Sequence, residues 1–429
     1  MDEMSARTSL WHPFADMAAV RGHEFVIARG EGVHVFDEDG RRYIDAAAGL
    51  WYCHVGHGRR EIIDAVAAQM RELECYPTFG DLANPPASAL SSRLAEMSDL
   101  PAARVFMTLG GGDAIETAAK LARMYWSIEG KPQKTHLLSR TFAYHGTHGY
   151  GTSLAGIESI RQGFGPLPGD VTHVPYDSLD ALEQELARLG PENVAAFFCE
   201  PVIGAGGVRP APDGYMEGLT EICHRHNVLL VIDAVISAFG RVGTWFGYER
   251  WGVQPDLVVL AKGLTSGYLP LGAVLVSGRV AEPFWSTPGQ VMVRHGATYS
   301  GHPTCCAAAL ANLDLLESEN LVPRGCELEA ALLEAVAPLR EHPACGEVRG
   351  GVGLAAAVDL SPELAHLPDA AHHFYDAIRE AGVIVRGQAT GVAIGPPLTI
   401  TPRQLTEIGE AIGRGLDAVI ERYGVAGAA

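Results

Sequence analysis

Between residues 104 and 277 the chain alternates short apolar runs with amphipathic stretches, and this alternation constrains the fold more than any other feature. "RVFMT", "KTHLLS", "VAAFFCEP", "VLLVID" and "LVVLAK" read as strands, while "DAIETAAKLARMYW", "SLDALEQELARL" and "GYMEGLTEICHRH" read as the helices between them. Runs that are apolar on both faces predict a mostly parallel central sheet covered by helices on each side, an α/β class. Ahead of it, "VHVFDEDGRRYID" (33–45) predicts a hairpin turning at Asp39-Gly40, and residues 60–73 and 87–98 predict helices. "SGHPTCCAAALANLDLLES" (300–318) opens the long helix that closes the region. Beyond about residue 325 the pattern changes to helices mixed with "RGGVGLAAAVDL" and "GVIVRG". The expected organisation is a large domain over 61–325 and a smaller α+β domain over 326–429, joined by the N-terminal segment 1–60. The Ala/Gly tail after Tyr423 reads as a frayed end.

Charge and cysteine usage narrow the partners. Acidic residues outnumber basic ones 51 to 32, a formal charge of −19 over 429 residues, and there is no basic tract. That balance argues against nucleic acid or an anionic membrane surface. The eight cysteines are scattered and form no CxxC pair, the usage expected in a reducing cytoplasm. "MDEMSARTSLWHPF" has no apolar signal region, and no uncharged apolar run approaches the ~20 residues of a membrane span. These features predict a soluble cytoplasmic protein.

Three features carry chemistry. In "LVVLAKG" the ammonium of Lys262 stands at the end of a buried run. Asp233 stands in the same position in "VLLVIDAV". Gly110-Gly111-Gly112 lies between a strand and a helix, where backbone N–H groups and the helix dipole favour a phosphate. Ligands of parallel sheets sit beyond the carboxyl ends of the strands. One cofactor uses all three features. Pyridoxal 5'-phosphate (PLP) needs a lysine for its aldehyde, an acid for its pyridine nitrogen and a helix N-terminus for its phosphate. This assigns Lys262 as the Schiff-base lysine and proton carrier, and Asp233 as the pyridine partner. A rival reading takes Gly110-x-Gly112-x-x-Ile115 as a nicotinamide loop, with Arg140 at the next strand end; its third glycine is missing and it leaves Lys262 without a role.

The blocks "LWHPF" (10–14), "DAAAGLWYCHVGHGR" (45–59), "FAYHGTHGYGTSLAG" (142–156), "CEPVIGAGGVRP" (199–210), "VIDAVISAFGRVG" (231–243), "LAKGLTSGYLPLGAV" (260–274) and "ATYSGHPTCCAAAL" (297–310) follow one another along nearly the whole chain. In this order they resemble the class III, or omega, aminotransferases of PLP fold type I. The resemblance implies further roles. Val235 and Tyr144 would pack on the two ring faces, and His145 would join the cofactor-binding set. Gly111 and Gly112 would donate N–H groups to the phosphate. Thr298 would reach the phosphate of a neighbouring subunit, making a homodimer with shared sites. Trp51 and Tyr144 would line the substrate pocket, and Arg386 would grip a substrate carboxylate. The histidine pairs His54/His57 and His145/His148 lack metal-ligand partners, so no metal site is expected.

The resemblance implies transfer of an amino group from an amine or amino acid to a keto acid or aldehyde. The same fold and cofactor also serve racemisation, elimination and carbon–carbon bond formation, or binding without turnover. Several positions depart from the family pattern. Where relatives read S-G-S-E-A-N-E this chain has "GGGDAIE", so a serine becomes Gly112, a glutamate Asp113 and an asparagine Ile115; after Asp233 a glutamate becomes Ala234. Ile115 and Ala234 read as compensating apolar replacements, because a lone buried polar group is costly.

Overall fold

The structure is a computed structural model that describes residues 9–286, 289 and 291–424. Residues 1–8, which begin the predicted leaderless N-terminus, and 425–429 of the predicted frayed tail lie outside the described residues. The predicted hairpin is present as β2 (His34–Asp37) and β3 (Arg42–Asp45), with β1 (Ile27–Glu31) antiparallel to β2. The strand–helix alternation supplies β4 (Arg104–Thr108), β5 (His136–Arg140), β6 (Val171–Val174) and β7 (Val194–Cys199). A short ribbon, β8 (Val202–Ile203) with β9 (Arg209–Pro210), precedes β10 (Leu229–Asp233), β11 (Leu257–Leu260) and β12 (Gly272–Val276). The C-terminal part adds β13 (Cys345–Arg349), β14 (Ala356–Leu360), β15 (Val383–Ile384), β16 (Arg386–Gly387) and β17 (Gly391–Ile394).

Seven of these strands form the central sheet in the order β4-β12-β11-β10-β7-β5-β6. The register is parallel from β11 through β6, while β12 runs antiparallel to both β11 and β4. Two reversals restore direction, so β4 points the same way as β10 and β11. The carboxyl ends of those three strands therefore share one edge, and they carry the glycine loop, Asp233 and Lys262 respectively.

The burial pattern explains why the strands are apolar throughout. Phe197, Cys199, Leu230, Ile232, Val258 and Leu260 belong to one apolar cluster, and the alternate residues Ala196, Phe198, Leu229, Val231, Leu257 and Val259 to another. The side-chain period of two sends them to opposite faces. Helix Gly111–Ile128 covers the second face; helices Arg60–Glu72, Pro85–Met97 and Pro303–Ser318 and the C-terminal region cover the first. Ile115 and Ala234 belong to different clusters, so the expectation that they compensate for one another is not met. Each is fully packed on its own side instead, 1% and 0% exposed.

The remaining strands build two smaller sheets, β1-β2-β3-β15 and β13-β14-β17-β16. Residues 383–384 pair in parallel with β3, so segments from both ends of the chain share a sheet. Helix Pro402–Tyr423 packs over this region; it opens on a capping box between Thr401 and Gln404, which satisfies N–H groups of its first turn.

Candidate active site

Lys262 follows β11 in a left-handed conformation (φ 46°) and starts a single 3-10 turn, Lys262–Leu264. Asn312 from helix Pro303–Ser318 pins that turn, donating from Nδ2 to the carbonyls of Gly263 (2.8 Å) and Leu264 (3.1 Å). A side chain at Gly263 would meet the buried His54 ring at 2.5 Å, so only glycine fits behind the lysine. Trp51 (φ 66°) and Phe142 (φ 65°) are also left-handed non-glycine residues, and strain of this kind concentrates at functional sites. Burial lowers the Lys262 ammonium to about 8, although the charges of Asp233 and Glu200 act in the opposite sense. Arg386 and Arg241 push it down further.

Asp233 is 4% exposed at the end of β10. Its Oδ2 accepts from Nδ1 of His145 at 2.7 Å, and its Oδ1 accepts the N–H of Val235 at 3.1 Å. His145 is buried, its ring is edge-on to Phe198, and its Nε2 has no partner. The histidine thus fixes the carboxylate from behind.

At the end of β4 the glycines lead into helix Gly111–Ile128, whose N-terminus has no side-chain cap. Asp113 closes the loop, its Oδ2 accepting the N–H of Leu109 at 2.9 Å. A Cβ on Gly111 would lie 3.0 and 3.1 Å from the Val235 methyls, and one on Gly112 would lie 3.3 Å from the His148 ring. Backbone and Val235 therefore approach closely enough to form a cradle that larger residues would fill. Uncapped N–H groups, a buried carboxylate and an amine of lowered basicity fit the phosphate, pyridine nitrogen and aldehyde of PLP.

The other predicted residues are distributed unevenly. Tyr144 is half-buried and its N–H is held at 3.0 Å by Glu200. Burial raises its phenol, with Arg386 opposing and Asp233 and Glu200 adding to the rise. Arg386 is exposed on β16, yet its charge reaches both Tyr144 and Lys262. Trp51 is 2% exposed and walls a small cavity of about 10 Å³ with Ile236, Ser237 and Arg241. Thr298 is exposed in the segment after residue 291. His57 binds Asp45 at 2.8 Å, and among the described residues no cluster of His, Cys, Asp or Glu has metal-holding geometry.

Glu200 was not singled out in the sequence. It is 4% exposed, and its second oxygen accepts the N–H of Gly204 at 2.9 Å. Burial raises its carboxyl above the ordinary range, and Asp233 adds to that rise while His145 opposes it. Its signal was the one that marked Asp233: a carboxylate following an apolar strand, here "VAAFFCE".

The chain as a whole is similar to known proteins of one family. The model of the aminotransferase class-III family matches residues 17–416. A probable aminotransferase of Mycobacterium tuberculosis is 42% identical over 80% of this chain and 76% of its own length. The putrescine–pyruvate aminotransferase of Pseudomonas aeruginosa is 37% identical over 89% of this chain and 88% of its own. The PLP-bound crystal structure of an amine transaminase from an uncultivated Pseudomonas species superposes with a TM-score of 0.91 at 39% identity, covering 97% of this chain and 99% of that one.

Proposed function

The chain belongs to the class III aminotransferases, and from its PLP-dependent transfer of an amino group between an amine or amino acid and a keto acid or aldehyde we propose which residues do the work. The observation that carries the proposal is the shared edge: Lys262 and Asp233 end adjacent parallel strands, and the uncapped helix N-terminus stands on the same side. PLP, when bound, supplies a carbonyl that condenses with amines and a ring that withdraws electrons from the substrate carbon. Lys262 Nζ holds the cofactor and then takes up and returns the substrate proton, a task suited to an amine lowered to about 8. Asp233 keeps the pyridine nitrogen protonated, and His145 orients it by donating to Oδ2. Gly111 and Gly112 donate N–H groups to the phosphate, while Tyr144 and Val235 flank the ring.

Arg386 binds the carboxylate of an amino acid or keto acid, and Trp51 shapes the pocket beside it. Pyruvate, the acceptor named for the Pseudomonas aeruginosa relative, is our proposed acceptor here. The working form is a homodimer in the cytoplasm, built of a large domain (61–325) and a small one (1–60 with 326–429). The proposed second copy would cover exposed apolar side chains such as Trp11 (81%), Phe14 (69%), Met292 (65%) and Tyr299 (58%). In the dimer Thr298 reaches the partner's phosphate. Among the described residues no helix is long and apolar enough to cross a membrane. The test is a donor screen of diamines, ω-amino acids and arylalkylamines with pyruvate, reading alanine formed, beside the molar mass by light scattering. Alanine from none of them would overturn the acceptor, and a monomer mass would overturn the shared site.

A further inference from the structure

The segment 291–299 carries Thr298 but contains no helix or strand, so something must set its position. Its far end is fixed by Thr78 and Asn84, which donate to the carbonyls of Ser300 (2.9 Å) and Gly301 (2.8 Å). At its middle the His295 ring stacks on Phe106 of β4, centroids 5.9 Å apart and planes 21° apart. Nε2 of that ring lies 2.8 Å from Oγ1 of Thr117, and Nδ1 lies 3.3 Å from Nζ of Lys120. Both partners stand on helix Gly111–Ile128, the helix whose N-terminus forms the glycine loop.

The donors settle the protonation state. The Thr117 hydroxyl already gives its proton to the carbonyl of Asp113 at 2.8 Å, so toward His295 it can only accept. Nε2 therefore carries the hydrogen. Lys120 can only donate, so Nδ1 must present a lone pair. Neutral imidazole in one tautomer satisfies both contacts; imidazolium would direct an N–H at an ammonium.

We propose that His295 is a positioning residue whose neutral form ties residues 291–299 to the phosphate-loop helix, and whose protonation releases them. The charged groups facing it are Lys120, Asp113 and Glu116 from the helix, with Arg294 next to it in its own segment; Phe106 is uncharged. Both carboxylates are engaged elsewhere, Asp113 by the Leu109 N–H and Glu116 by the Tyr150 N–H (2.8 Å), and Glu116 also lies 3.8 Å from Lys120. Burial and then Lys120 lower the imidazole below its usual value, against the weaker pull of Asp113 and Glu116. The tie is therefore complete at neutral pH and is lost as the pH falls below the ordinary histidine range of about 6.5. The consequence for the cofactor rests on the proposed role of Thr298.

The test compares holoenzymes at pH 7.5 and 5.5 by hydrogen–deuterium exchange of peptides spanning 291–299, and by the rate of PLP loss on dialysis. Glutamine can reproduce the neutral ring, donating to Thr117 and accepting from Lys120, and it does not titrate. Exchange in the wild type, relative to His295→Gln at the same pH, should rise at least threefold on acidification. His295→Ala should exchange rapidly at both pH values, and Lys120→Met should lose most of the acid step. A wild type whose exchange tracks His295→Gln at both pH values would overturn the proposal, as would an acid step unchanged in Lys120→Met. If the exchange step is present while PLP loss stays flat, the tie stands and the role given to Thr298 falls.

Discussion

The two halves of the site are built differently. The cofactor half is made of strand ends: Asp233 on β10, Lys262 on β11 and the glycine loop on β4, each followed by a turn that core residues hold in place. Asn312 fixes the lysine turn, Asp113 fixes the glycine loop and His145 fixes the aspartate. The residues proposed for the substrate and for the partner's phosphate rest on less regular elements. Arg386 is exposed on a two-residue strand, Thr298 lies in a segment without secondary structure, and Trp51 is buried against Val202, Val208 and Ala355 of its own chain. Position in the first half is set by a packed sheet, whereas in the second, on the proposed reading, it would depend on a second copy and on a few side-chain ties. Mutations of Lys262 and Asp233 should therefore act on the chemical step, and mutations of the glycine loop or of the second set on retention and recognition.

The strongest test of that division is Lys262→Ala. Turnover should fall at least by the roughly 10²–10⁴-fold that a positioned base contributes, while PLP still binds noncovalently. A variant that kept more than a small fraction of the wild-type rate would remove the lysine from the centre of the site. The same residue yields a pH prediction. An amine titrating near 8 is about one-tenth neutral at pH 7, roughly two- to three-hundredfold more than an ordinary lysine. Covalent PLP uptake by the apoenzyme should rise with pH and level off above about 8, and a rise continuing past pH 10 would show that burial does not lower this amine.

Asp233→Asn is the next largest. The fold should persist, because the strand and the Val235 turn need no charge, but the chemical step should slow at least a hundredfold, about 2.7 kcal/mol. An unchanged single-turnover rate would mean that the carboxylate is structural.

The same contrast explains what the sequence disclosed. Lys262, Asp233 and the glycines were legible because a buried strand with no polar tolerance ends abruptly in a group that needs a reason. Glu200 obeys that logic and was overlooked only because its strand was read for fold alone. The reversal at β12 was not legible: an apolar run shows burial but not direction, and the short turn after Lys262 decides it. His145 could be grouped with the cofactor residues, but its bond to Asp233 joins positions 88 apart in the chain. The tie made by His295 was invisible for a similar reason, since it depends on which lone pair Thr117 leaves free.

On the peripheral side, Arg386→Ala should raise KM for carboxylate-bearing substrates and spare simple amines. Losing a charged hydrogen bond costs about 1.5–3 kcal/mol, roughly ten- to 150-fold in kcat/KM. Equal losses for both substrate types would show that Arg386 acts through the site's general electrostatics and is not the carboxylate anchor.

The smallest effect falls within the cofactor half, at the phosphate loop, where retention and not the chemical step is at stake. Gly112 offers an N–H but no hydroxyl, so Gly112→Ser should add a neutral hydrogen bond to the phosphate, about 0.5–1.5 kcal/mol. The backbone there is not left-handed, and the new Cβ would meet only the His148 ring at 3.3 Å, an exposed side chain able to move aside. PLP loss on dialysis should slow by about two- to tenfold, with kcat nearly unchanged. Gly111→Ala is the control. Its Cβ would press on two Val235 methyls at 3.0 and 3.1 Å, and a β-branched side chain cannot swing away from such a contact. That variant should hold PLP more weakly than the wild type. If Gly112→Ser also sped the loss, the loop would have no room for a hydroxyl, and its third glycine would be there to let the backbone close on the phosphate, the role proposed for Gly111.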